Sequence, residues 1–376
     1  MKKILFQIIK FILAFFLAFL LLLTAGFFAV RFGWTNVAGE ENLDSFEYNQ
    51  EAKRIENLAN NEVQANLPNN ESIYGPNEKT NRCKIFVASQ YNDYNAAAIL
   101  RVYQSSRSEV LLNRMLLAMK LRLSNRETFS RELLNCEQNP GVSPTFEELN
   151  EKLTVTKNKN LYAWQNGESW GIIKEALIKD RDLVNDAALK AGVQPRLLLS
   201  VAIVEQLRLY YTQRELFEKV FKPLKILANA NKMAWGVMSI KEAMAIQTEN
   251  NLKDPSSHFY LGPNFSGLLD FPAGSNPEKE RYNRLTNERN HFYSYLYGAL
   301  IIKELQAQWT KAGYNIDYRP EIIATLFNIG FHRSIPKENP MVGGSTIEID
   351  GEKYFFGSLA YEFYYSGELM EEFPFN

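Results

Sequence analysis

The stretch "LLLSVAIVEQLRLYY", residues 197 to 211, carries one carboxylate, Glu205, behind a run of apolar side chains. On a helix Glu205 shares a face with Val201 and Ala202, and Leu198 and Leu209 lie close to that stripe. Burying an ionised carboxylate without a partner is costly, and the group tends to take up a proton instead. Apolar walls can therefore hold a glutamic acid protonated near neutral pH, where an ordinary one, with a pKa of ~4.3, is mostly ionised. Such a group can hand a proton to a departing oxygen and later take one back, which is general acid–base catalysis. The plainer reading is a structural glutamate, partly exposed or paired. Two more stretches follow, "AWGVMSIKEAMA" (234 to 245) and "IATLFNIGF" (323 to 331). Read singly, the first is a turn with a core methionine. The second is a helix end, with Asn328 two residues before a helix-stopping glycine.

Together, and in this order, the three stretches resemble the lysozyme-like lytic transglycosylases, the group that includes the soluble lytic transglycosylases and goose-type lysozymes. The lead-in Gly192-Val193-Gln194-Pro195 and Leu198-Leu199-Ser200-Val201-Ala202 is also similar, and the resemblance covers about residues 170 to 335. It implies that Glu205 is the catalytic residue. It implies substrate contacts for the loop Gly236, Val237, Met238 and Ser239, and for Phe327 and Asn328 at the closing motif. Three positions depart from the family pattern: Gln206 stands in place of Ser, Ser239 in place of Gln, and Phe327 in place of Tyr. The implied reaction is cleavage of the β-1,4 bond between MurNAc and GlcNAc in peptidoglycan, with no cofactor. In that route one glutamate serves as acid and then base, the sugar's N-acetyl group assists, and the 6-hydroxyl of muramic acid closes an anhydro ring.

Two other functions stay open. A muramidase, which hydrolyses the same bond, would need a second carboxylate, and Glu215 and Glu218 are within reach in sequence. A catalytically silent wall-binding or scaffold protein of an envelope complex would explain the three departures. Tyr210, Tyr211, Trp235, Tyr293 and Tyr297 are candidates for lining a sugar cleft or for the core.

Other chemistries find no support. The three histidines, His258, His291 and His332, are far apart and lack metal-ligand spacing. There is no phosphate-cradling glycine loop and no GxSxG elbow. With a formal net charge of −1, the chain has no general electrostatic grip on nucleic acid.

The elements that must position these residues can be sketched. After Lys2, Lys3 and Lys10 comes an uncharged run over 11 to 30, about the ~20 residues that cross a bilayer and longer than the ~7–15 apolar residues of a cleaved signal peptide. The positive-inside rule puts the N-terminus in the cytoplasm and the rest on the extracytoplasmic, periplasmic side of the inner membrane. A cleaved signal peptide is the alternative, and it leaves the body outside as well. In an oxidising compartment Cys83 and Cys136 can pair; otherwise they are two separate buried thiols. The expected organisation is a membrane anchor over 1–31, a linker or stalk over 32–80, a helical module over 81–160, and a lysozyme-like helical domain over 161–376. Within the last, a helix is expected over 287 to 313, and Asp350-Gly351 marks a hairpin near the C-terminus. The fold class is mainly α.

Overall fold

The computed structural model describes residues 2–31, 39–64, 78–141, 143–211 and 234–375. Among them the chain is mainly helical. Helix α1 (Lys2–Arg31) contains Phe6–Gly26, long and apolar enough to cross a membrane and covered by no other described residues. A short strand β1 (Glu40–Glu41) and helix α2 (Ser45–Gln64) follow.

Five helices come next: α3 (Glu78–Tyr91), α4 (Asp93–Ser106), α5 (Glu109–Lys120), α6 (Arg126–Gln138) and α7 (Phe146–Leu153). Their starts are written locally. The side chains of Asn92 and Ser108 accept from the backbone of Asn95 and Leu111, and Thr145 with Glu148 forms a reciprocal capping box. Cys83 on α3 and Cys136 on α6 are joined by a disulfide, with Cα atoms 5.7 Å apart.

Then come α8 (Ala163–Asn166), α9 (Glu168–Lys179), α10 (Arg181–Ala191) and α11 (Pro195–Tyr211). Gly192, at φ 64°, ends α10 in the left-handed conformation that favours glycine, and Pro195 opens α11. Helix α11 is buried on every side from Arg196 through Glu205. It packs against α9, α10 and the later elements α14 (Phe292–Lys311), α15 (Pro320–Ile329), β5 (Thr346–Ile349) and α16 (Phe356–Tyr364). A helix apolar all round is a core helix, so Glu205 does not sit on the stripe of a surface helix. It occupies the last fully buried turn of the central one.

The remaining elements are the small hairpin β2 (Ala234–Trp235) and β3 (Ile240–Lys241), helices α12 (Glu242–Asn251) and α13 (Pro277–Leu285), strand β4 (Gly343–Gly344), and β6 (Glu352–Phe355). Strands β5 and β6 pair around Asp350 (φ 51°) and Gly351 (φ 83°), the two positive φ values of a tight two-residue hairpin. Helix α14 begins at Phe292, not near 287, because the Asn287 side chain accepts from the backbone of Arg289 and Asn290, and that of Asn290 from Phe292.

Two of the expected boundaries are crossed by contacts. The described part of the segment expected as a stalk is bound to the body. Strand β1 pairs antiparallel with β4, Glu40 opposite Gly344, and Asn42 N–H donates to the Val342 carbonyl at 2.8 Å. Asn49 Nδ2 donates to the Pro340 carbonyl at 3.0 Å, and Tyr48 lies in the core. Contacts also cross residue 160. Arg122 after α5 pairs with Glu362 on α16, Trp164 Nε1 donates to the same carboxyl at 3.2 Å, and one continuous core runs from Tyr48 to Phe373. The shared apolar surface makes the middle helices part of the same body.

At the other end of α11, the fully buried Arg196 donates to four backbone carbonyls of the C-terminal segment: Phe363 (3.2 Å), Tyr364 (2.8 Å), Glu368 (2.9 Å) and Phe373 (3.0 Å). Its guanidinium lies over the Phe375 ring, 4.3 Å from the centroid. Burial lowers its pKa to about 10, so it remains a cation at neutral pH and clamps the chain end onto the central helix.

Candidate functional site

Glu205 is 3% exposed. It is not alone. Arg208, one turn further along α11, donates from Nε to Glu205 Oε2 at 3.1 Å and from Nη2 to the same oxygen. Three residues apart on a helix is the spacing at which such pairs meet. The carboxylate on the apolar helix is therefore a paired one in this structure.

The next residue, Gln206, reaches across to the loop. Its Nε2 donates to the carbonyl oxygen of Val237 at 2.5 Å. The loop residues 236 to 239 form the tip of the β2–β3 hairpin, and the turn is closed by Ser239 N–H on the Gly236 carbonyl at 3.0 Å. Gly236 has φ 69°, and a Cβ there would lie 2.1 Å from the backbone oxygen of Leu285, so only glycine fits against α13. Ser239 also has positive φ, 48°, without being glycine, a local strain of the kind that tight functional turns hold. Met238 is fully buried. Its N–H donates to Ser294 Oγ at 3.3 Å, and its side chain fills the space that a Cβ on Gly298 of α14 would take, 2.7 Å from Met238 Cε. Met238 fixes the loop from beneath.

The third stretch ends α15. Phe327 is buried in the core and packs there. Asn328 is half-buried, and its Oδ1 accepts from both the N–H (2.8 Å) and the Oγ (3.0 Å) of Ser345, between β4 and β5. Gly330, at φ 88°, stops the helix, and a Cβ on it would lie 3.8 Å from Met244 Cε on α12, the helix that follows the loop. The structure thus joins Glu205's helix to the 236–239 loop directly, and the third stretch to the helix behind that loop.

Behind the hairpin lies a buried ionic cluster. Arg281 donates to both oxygens of Glu249 (2.8 and 2.7 Å) and lies 3.6 Å from Glu242, while Tyr297 Oη donates to Glu249 Oε1 at 2.5 Å. Burial and that hydrogen bond push the Tyr297 phenol above its usual range. Tyr297 is locked in the core. Tyr293 is half-buried beneath the Arg284 guanidinium, 4.4 Å from its ring centroid. Tyr211 is half-buried, its hydroxyl 2.7 Å from Ser169 Oγ, and Tyr210 is exposed. Glu215, Glu218 and the Trp235 side chain lie outside the described residues.

The environment first read for Glu205 occurs elsewhere. Glu304 on α14 is fully buried. Asn251 Nδ2 donates to its Oε2 at 3.1 Å, and desolvation pushes its pKa well above the carboxylate range, with hydrogen bonds from Asn251 and Thr248 offsetting part of the rise. Glu362 is buried too and raised by the same cause, although Arg122 and Trp164 offset part of it. Both stand on apolar helices, "ALIIKELQ" and "SLAYEFYY", by the same sequence signal as Glu205. Among the described residues Glu304 is 0% and Glu362 1% exposed. Among the described residues no group of three or more His, Cys, Asp or Glu could hold a metal ion.

Comparison with protein-family models, with curated proteins and with solved structures found no match.

Proposed function

We propose that the protein cleaves the β-1,4 bond between MurNAc and GlcNAc in peptidoglycan, as a lytic transglycosylase held to the inner membrane by α1 with its body outside. The observation that carries this reading is the Gln206–Val237 hydrogen bond, which sets the turn of Glu205 beside the 236–239 hairpin tip. A proton donor and a glycine-turn loop side by side are the two parts the resemblance requires first.

In this mechanism a glycan strand entering beside the loop draws Arg208 away from Glu205. The freed carboxylate, on the helix face it shares with Val201 and Ala202, takes up a proton from solvent water. It gives that proton to the GlcNAc O4 as the bond from MurNAc C1 to that oxygen breaks, while the N-acetyl group of MurNAc covers the electron-poor carbon. The resulting carboxylate takes a proton from the MurNAc 6-hydroxyl, whose oxygen bonds C1 and closes the anhydro ring. One group serves both steps.

A second reading is favoured by one observation, the Arg208–Glu205 pair itself. If that pair never opens, the site has a carboxylate and no acid, and the protein binds wall without cutting it. Product analysis tests both. Full-length protein in detergent is incubated with purified peptidoglycan and the products are weighed. Anhydro-muropeptides support the transglycosylase. Reducing ends point to a muramidase, and retention of glycan without products points to the scaffold.

A further inference from the structure

The segment just after the spanning helix carries an apolar pair facing outward. Leu43 is 97% exposed and Phe46 72% exposed, while their neighbours Asn42, Ser45, Tyr48 and Asn49 are buried against the body. The pair cannot turn inward. Strand β1 is bonded to β4, Ser45 Oγ donates to the Asn42 carbonyl at 2.6 Å, and Asn49 is tied to Pro340, so the outward face is held rigidly. Leu43 in the turn before α2 and Phe46 in its first turn are thus two large apolar side chains, three residues apart in sequence, left open to solvent on a fixed segment.

We propose that this face rests on the bilayer that α1 crosses, with Leu43 and Phe46 seated at the lipid headgroup boundary. The length of chain decides the occupant. Seven residues lie between Arg31, the end of α1, and Gly39, where the body begins. A chain of that length spans at most about 30 Å. The pair therefore lies close to the membrane by covalent connection, whatever the path of the linking residues. Charge permits the contact. The acids around the pair are neutralised within the protein: Glu40 by Lys353 (2.8 Å), Asp44 by Arg126 (2.7 Å) and Glu47 by Lys120 (2.6 Å). Glu41 is the one acid of this stretch with no ion pair among the described residues. A leucine and a phenylalanine amid neutralised charge suit the interface between headgroups and acyl chains. The consequence rests on the reading above. Glu40 is opposite Gly344, and Gly344 precedes the Ser345 held by Asn328, so the third stretch of the site stands on the membrane side. The glycan taken there would be the strand nearest the bilayer.

The chain has two cysteines and both are in the disulfide, so an added cysteine can be labelled alone. Full-length Phe46→Cys, Leu20→Cys and Leu189→Cys are each labelled with an environment-sensitive fluorophore and placed in phosphatidylcholine vesicles, with or without lipid carrying a nitroxide near the headgroup. Leu20 reports the spanning helix, and Leu189, 80% exposed on α10, reports an apolar surface position elsewhere. The expected result is a shift to shorter wavelength and a loss of emission for Phe46 and Leu20, and neither for Leu189. Quenching at Leu20 but not at Phe46 overturns the proposal, as does equal quenching at Phe46 and Leu189. A shift at Phe46 without quenching assigns the face to protein contact and also overturns it. If Leu20 itself is unquenched, the anchor fails and the proposal with it. None of these readouts depends on glycan cleavage, so a failure of the enzymatic reading is seen separately.

Discussion

Gln206 and Val237 are joined by a hydrogen bond from the side-chain amide to the backbone carbonyl, at 2.5 Å. It spans 31 residues of sequence and couples the helix of Glu205 to a turn that is strained at Ser239 and open only to glycine at position 236. Gln206→Ala is expected to lower stability by about 0.5–1.5 kcal/mol, the net worth of one such bond. The more telling readout is local. Amide exchange at Val237, Met238 and Ser239 should speed up while exchange in α14 stays slow, because Met238 remains seated under the loop. Gln206→Ser, the residue of the resembled family, is too short to reach the carbonyl and should behave like Ala.

Asn328 holds Ser345 through one oxygen that accepts two hydrogen bonds. Asn328→Ala leaves the Ser345 N–H without that partner and should cost about 1–3 kcal/mol. Asn328→Asp keeps the acceptor and should recover most of the loss in a thermal melt. The pair also separates fold from function. If the amide NH2 holds the glycan, the Asp variant melts near the wild type yet turns over poorly. Normal turnover in Asn328→Asp limits Asn328 to a brace.

Some of this was written locally in the sequence and some was not. Asp350-Gly351 declares its hairpin because both residues tolerate positive φ, and Gly192 followed by Pro195 marks the end of one helix and the start of the next. The helix long and apolar enough to cross a membrane is a matter of length and polarity. Strand β1 could not be read, since its partner is some 300 residues away and backbone pairing leaves no mark on composition. Residues 39 to 57 are polar and rich in Glu and Asn, which resembles a tether, yet Tyr48, Ser45 and Asn49 insert into the body. The pairing of Glu205 is the plainer of its two readings, and the sequence places its partner within one turn. Arg208 lies at the i+3 position, on the one part of α11 that turns toward the surface. Glu304 and Glu362 show that a carboxylate on an apolar helix marks burial, and that only tertiary packing decides whether a cation comes with it.

Glu304 gives a pH prediction with a definite sign. Its folded-state pKa is raised, so above the ordinary carboxylate range the folded chain keeps a proton that the unfolded chain has lost. Stability then falls as pH rises from that range toward the folded pKa. Near pH 4 the acid is largely protonated in both states and costs little. Glu304→Gln removes the titration and keeps an oxygen for Asn251. The variant should therefore gain in melting temperature over the wild type on going from pH 4 to pH 7. An equal difference between the two proteins at both pH values would show that Glu304 does not titrate on folding.

Glu205→Gln bears on both the chemistry and the ion pair. The amide keeps the shape but cannot pass a proton, so wall digestion should drop by at least the ~10²–10⁴ typical of general acid–base catalysis, and further because one group serves two steps. The structure also sets the stability change. Removing the carboxylate deprives a largely buried guanidinium of its anionic partner, and a loss of about 1–3 kcal/mol is expected, moderated because Arg208 keeps other contacts and lies near the helix end. Glu205→Gln combined with Arg208→Gln should recover part of that loss, since the two side chains act on one another. Recovery of stability without recovery of digestion is the pattern of a catalytic carboxylate that rests in an ion pair. A scaffold gives the same stability pattern, but its wild type releases no products and its Gln variant retains glycan as well as the parent does. Digestion by Glu205→Gln at near wild-type speed would remove Glu205 from the chemistry and leave Arg208–Glu205 as a bond that only holds the end of α11 in place.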